Sequence, residues 1–127
     1  WAGEDTTAAR ASVAAFRQQM TNGEFESIYS SMDPEFREFS SEESAVAWFQ
    51  AISERLGGVV KSRLTNWEAH SGSDGSTVTL RYRTTFEHGS GEEEFVFRSV
   101  DRTATLMRYH ISSKALEGMA AEPVFGV

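Results

Sequence analysis

The sequence divides at Gly57-Gly58, where the hydrophobic period changes from that of a helix to that of a strand. Upstream, large apolar residues recur every three or four positions, which places them on one side of a 3.6-residue turn. Downstream they alternate, which places them on one face of a sheet. Helices gathered at one end of a chain and strands at the other specify an α+β domain, with the helices on one sheet face.

The helical half reads as three helices. Asp5 and Thr6 are placed to cap the first, whose apolar face is Ala9, Val13, Phe16 and Met20, and Asn22-Gly23 ends it. Phe25, Ile28, Tyr29 and Met32 make a short second helix that stops at Asp33-Pro34, with Phe36 and Phe39 in a brief helical turn or loop after it. In "SSEE", Ser40 and Glu43 have the spacing of a capping box for the third helix, which carries Ala45, Trp48, Phe49, Ile52 and Leu56.

Four strands follow, at about 59–70, 76–88, 92–100 and 104–113, joined by short Gly-, Asp- and Ser-rich turns that make neighbours antiparallel. A turn at Ser90-Gly91 sets Phe86 opposite Phe95 and His88 opposite Glu93. A loop at 101–103 sets Phe97 opposite Met107 and Phe95 opposite Tyr109. All the large apolar residues then share an inner face, which a one-residue slip would scatter. The other face carries Arg81, Arg83, Arg98 and Arg108 among Val96, Val100 and Leu106, with Glu87 set against Glu94.

At 127 residues the chain is one domain, expected to end near residue 113, with 114–127 a loosely held tail in which Val124 and Phe125 could dock. A net charge of −7 argues against nucleic acid or an anionic membrane as partner. The absence of cysteine excludes disulfides and thiolate chemistry, and no apolar run approaches the roughly 20 residues that span a bilayer. The sequence starts at Trp1, not Met. The expectation is a signal peptide or lipoprotein leader removed upstream, giving a periplasmic or secreted protein, with a lipid anchor as one form of it; the alternative is an arbitrary boundary at residue 1.

Candidate chemistry is sparse. His88 and Glu93, both inward at the end of a hairpin, form the one plausible proton-transfer pair. His70, His88 and His110 lack metal-ligand spacing, no phosphate loop precedes a helix, and no serine sits in a nucleophile motif, so neither a metal nor a cofactor is called for. Trp48 and Trp67 are candidates to line a ligand pocket, with core packing as the alternative. Arg63 has the strand parity of Trp67, and pairing Trp67 with Leu80 would turn both inward. A buried Arg63 would need Tyr82, Asp33 or an anionic ligand beside it.

Phe25 and Tyr29 after Asn22-Gly23, then Trp48, Arg55-Leu56-Gly57, Arg63, and Tyr109 with Ile111 carry a family resemblance over residues 8–113. The chain resembles the nuclear transport factor 2-like (cystatin-like) superfamily. More narrowly, it is similar to an uncharacterised bacterial domain family whose members are often exported or lipid-anchored. The last strand departs from that family's Gly-before-Trp pattern, reading Ala104-Thr105-Leu106. The resemblance implies a cone-shaped roll, three helices on a curved four-stranded meander.

Three functional readings follow. The first is a non-enzymatic exported domain that binds a small molecule or a protein, through the sheet–helix cavity (Arg63, Tyr82, Tyr29, Trp48, Trp67) or the outer face. The second is a small cofactor-free enzyme like the superfamily's isomerases and dehydratases, using His88, Glu93, Tyr82, Tyr29 and Asp33. The third is a homodimerisation module joined through Arg83, Val96, Val100, Arg98, Leu106 and Arg108.

Overall fold

The computed structural model describes residues 2–73 and 75–117. Its order is α1 (Ala2–Thr21), α2 (Phe25–Ser31), α3 (Pro34–Phe39), α4 (Glu42–Leu56), β1 (Val59–Gly72), β2 (Gly75–Phe86), β3 (Gly89–Val100) and β4 (Thr103–Ser112), closed by a 3₁₀ turn over Lys114–Leu116. The strands form one antiparallel meander in the order β1-β2-β3-β4. The helices cover one face of it, as the change of period requires. The core is Ala9, Val13 and Phe16 of α1, Ile28, Met32 and Phe36 of the next two helices, and Ala45, Trp48, Phe49, Ile52 and Leu56 of α4. These residues close on Val78, Leu80, Phe95, Phe97, Tyr109 and Ile111 of the sheet.

Helix ends differ from the sequence reading in two places. Asp5 and Thr6, expected at the cap, lie inside α1, which begins at Ala2. The cap of α4 is Ser41, not Ser40: its Oγ accepts from the Ser44 N–H at 3.1 Å. Ser40 is occupied ending α3, its N–H donating to Phe36 O and its carbonyl lying 2.6 Å from the Tyr29 hydroxyl. The turn expected at Phe36–Phe39 is a six-residue helix capped by Asp33, with Pro34 at its first position. At the far end, Ala115 and Leu116 pack against the core, while Val124 and Phe125 lie outside the described residues.

The register of the central hairpin is the main correction. Phe86 pairs with Gly89, not Phe95, because the turn is Glu87-His88; β2 and β3 are therefore slid by 95 − 89 = 6 positions from the expected pairing. An even slip leaves every side chain on its face, so the amphipathic pattern is the same in both registers. Electrostatics separates them. The expected register opposed Glu87 and Glu94, whereas the observed one sets Arg81 against Glu94 and Arg83 against Glu92.

Register shifts fall at Val60 and Thr65 of β1 and at Met107 of β4, and the last two re-aim individual residues. One in β4 makes Met107 the extra residue, so Leu106 pairs with Phe97 and turns into the core, not onto the outer face. The other, in β1, makes Thr65 extra. Arg63 then sits opposite Arg83, outward and exposed, and the inward buried arginine expected there does not occur. Asp101 and Arg102, both at positive φ (50° and 66°), form the two-residue turn between β3 and β4.

Candidate functional site

A cavity of about 280 Å³ opens between the C-terminal ends of α1 and α4 and the near end of the sheet. Phe16, Met20, Ile52, Val59 and Phe86 give it apolar walls, and Arg17, Glu93 and Tyr109 form its polar floor. Its mouth is shaped by the joint between α4 and β1. Gly57 ends α4 at φ 74°, ψ −161°, a conformation only glycine adopts readily. A Cβ at Gly57 would fall 2.8 Å from Glu87 Oε1. That carboxylate accepts the Gly58 N–H at 2.6 Å, and the Glu87 and His88 amides donate back to the Gly58 and Leu56 carbonyls, each at 2.9 Å. The Glu87-His88 turn is thereby docked onto the helix end.

The floor is built from four elements. Glu93 lies on the inner face of β3, opposite Tyr82 and Ile111, and is 2% exposed. Burying a carboxylate is costly unless donors and a cation replace its water. Arg17, one position past Phe16 on α1, supplies the cation: Nη2 donates to Glu93 Oε1 at 2.8 Å and Nη1 to Oε2 at 3.4 Å. Thr84 of β2 donates to Oε1, and the Tyr109 hydroxyl of β4 donates to Oε2 at 2.6 Å. Tyr109 is fixed in turn by aromatic neighbours, its ring centroid 4.9 Å from Phe16 and 4.8 Å from Phe95.

The Arg17 guanidinium also lies 5.4 Å over the Tyr82 ring and 5.7 Å over Phe95. Burial raises the Tyr82 pKa above its ordinary 10.0; Arg10 and Arg17 oppose the shift and Glu93 adds to it. Arg17 spends three N–H groups, on two Glu93 oxygens and on Thr84 Oγ1 at 3.5 Å. A guanidinium has about five, which leaves two without a described partner on a residue that lines the cavity.

The residues singled out in the sequence are dispersed. Glu93 points inward as expected, but His88 is not its neighbour: the six-position slip leaves His88 in an exposed turn. Asp33 serves the fold. It is 4% exposed, caps α3, and accepts from Arg98 Nε at 2.9 Å and Thr105 Oγ1 at 3.3 Å. Tyr29 ties α2 to the end of α3, Trp48 is core, and neither lines the cavity. Trp67 pairs with Leu80 on the inner face yet is 49% exposed, on the edge strand of the sheet. On the outer face Arg83 bonds Glu92 at 2.7 Å, and Arg81 and Arg108 share Glu94 at 3.0 and 3.2 Å, with Val96 buried among them.

Arg17 was missed. The signal for it was an inward carboxylate on the sheet with no cation in sight, beside a helix whose apolar face is flanked by an arginine. No helix among the described residues is long and apolar enough to cross a membrane.

No protein-family model matches the chain, and no curated protein sequence does. Twelve solved chains match it by structure. One, titled as a variant of Rd1NTF2_05, is a designed nuclear transport factor 2-like protein; it aligns at a TM-score of 0.56 and 16% identity, over 82% of this chain and 96% of its own. Four helices on one face of a curved four-stranded meander, together with that likeness, give this chain the nuclear transport factor 2-like fold.

Proposed function

We propose that this domain binds a small, uncharged, mainly apolar molecule in the cavity beneath α1 and α4, with a carbonyl or hydroxyl oxygen of the ligand on the unspent N–H groups of Arg17. The observation that carries the reading is the polar floor. Glu93 is saturated by Arg17, Thr84 and Tyr109, while Arg17, which lines the largely apolar cavity, has two N–H groups left over. The cavity has the size for this. Its 280 Å³ equals about nine waters at ~30 Å³ each, near the lower end of small-molecule sites. Charge selects a neutral guest. The lining carries both signs, Arg17 against Glu93 and Glu87, so a carboxylate or an amine meets a like charge beside the opposite one.

Isomerase or dehydratase chemistry needs a base with a lone pair turned to the substrate. Glu93 turns its oxygens to three donors, and His88 and Asp33 lie elsewhere, so binding without turnover is the better-supported reading. The extracytoplasmic setting that the family resemblance implies belongs to the same proposal; fractionating cells that express the gene with its native upstream sequence tests it. The binding test is a thermal-shift and NMR screen of uncharged aromatic ketones and lactones beside matched carboxylates and amines. Saturable binding of the neutral set, lost in the cavity-filling Met20→Trp, is the expected result. Binding that survives Met20→Trp, or a preference for the charged sets, would overturn the proposal.

A further inference from the structure

The edge strand β1 is built unlike the rest of the sheet. It runs 14 residues, and all but Leu64 and Ala69 are exposed. As first in the strand order, it has one edge that no other strand pairs among the described residues. Its charges are also unlike those elsewhere. Arg81, Arg83, Arg98 and Arg108 each bond a carboxylate of their own chain. Arg63 and Glu68 of β1 have no such partner among the described residues.

The bulge at Thr65 gives the strand a mirror pattern about its midpoint. Leu64 and Trp67 lie opposite Tyr82 and Leu80, hence inward; Arg63 and Glu68 lie opposite Arg83 and Thr79, hence outward. In an unbulged strand, residues three or five apart fall on opposite faces. Here each pair shares one. The same holds one step further out: Ser62 and Ala69 lie inward, opposite Thr84 and Val78.

We infer that β1 pairs antiparallel with β1 of a second copy of this chain, about a twofold axis between Thr65 and Asn66, joining two four-stranded sheets edge to edge. In that register Leu64 of each copy meets Trp67 of the other on the inner face, and Arg63 meets Glu68 on the outer face, each contact made twice. Trp67, 49% exposed in the single chain, is covered by the pairing. The occupant is a second copy because the complementarity is between β1 and itself, opposite charge to opposite charge and apolar to apolar, in one register.

The test is sedimentation equilibrium of the whole protein over 1–200 µM, with circular dichroism confirming that each variant is folded. The wild type sediments as a dimer. Arg63→Glu and Glu68→Arg each place two like-charged contacts in the interface and weaken it at least about tenfold. An equimolar mixture of the two variants restores dimers, because both contacts become attractive again only in the heterodimer. Trp67→Ala weakens association without responding to mixing. A wild-type monomer throughout the range overturns the inference, and so does a dimer indifferent to these substitutions, which would place the contact on another face.

Discussion

Replacing Arg17 by methionine keeps most of the side chain's apolar stem but removes the cation bonded to a carboxylate whose side chain is 1% exposed. Breaking a buried pair from one side costs about 3–5 kcal/mol, since the remaining charge stays buried. Two features pull the value to the low end. Arg17 is itself 17% exposed, so water can reach the gap, and Thr84 and Tyr109 still donate to Glu93. The cation–π contacts with Tyr82 and Phe95 add a few tenths of a kcal/mol or more to the loss. The expected cost is about 3 kcal/mol, or a melting temperature lower by ~12 °C at roughly 4 °C per kcal/mol for a domain of this size. Urea unfolding at pH 7 measures it directly. The decisive variant is Arg17→Met with Glu93→Gln, because a neutral amide keeps acceptor and donor roles toward the two hydroxyls without the charge. It should recover at least about 1.5 kcal/mol of the loss. If Arg17→Met costs under ~1 kcal/mol, the range of an exposed pair, or if the second substitution recovers nothing, the account of the cavity floor is wrong.

Tyr82 titrates above its ordinary 10.0, so its contribution to stability is complete below pH 10 and is lost as pH rises through the folded value. Absorbance at the tyrosinate band should show a late-titrating tyrosine that Tyr82→Phe removes, and urea midpoints above pH 10 should fall less steeply in that variant. Gly57→Ala should cost about 2 kcal/mol, from the φ of 74° and the contact with Glu87 together, whereas Gly23→Ala, at φ 71° in open space, should cost about 1 kcal/mol. Equal costs would mean that the mouth is not held by that contact. Arg98→Ala should lower stability by about 2 kcal/mol by stranding Asp33, which is 4% exposed; hydrogen exchange should speed up at the α2–α3 corner and along β4. A loss spread evenly over the chain would argue against this local role.

What could be read from the sequence depended on what each signal encodes. Helix faces and strand faces were legible because periodicity encodes them directly, and Gly57-Gly58 and Asn22-Gly23 were legible as stops because glycine's conformational freedom is local chemistry. Register was not. A six-position slip changes no face, so only the turn and the cross-strand charges Arg81–Glu94 and Arg83–Glu92 distinguish the two pairings. The bulges at Thr65 and Met107 are equally silent in a pattern of alternation, yet they decide that Leu106 goes in and Arg63 goes out. The site suffered the same way. Glu93 was legible as an inward carboxylate, but its partner depends on how α1 lies across the sheet, and no local pattern records that.

The bond between Arg17 and Glu93 spans 76 positions of the chain. Ser12 of the same helix reaches further, to the Ala104 carbonyl, 92 positions on. During synthesis α1 therefore leaves the ribosome before the sheet strands it bonds to. At about 5–20 residues per second, roughly 4 to 15 s pass before Glu93 follows Arg17 out. In that interval the apolar face of Ala9, Val13 and Phe16 can be covered only in part, by the helices made next, as Phe16 is by Phe49. A helix made before the sheet must wait for β3 and β4 to complete its place.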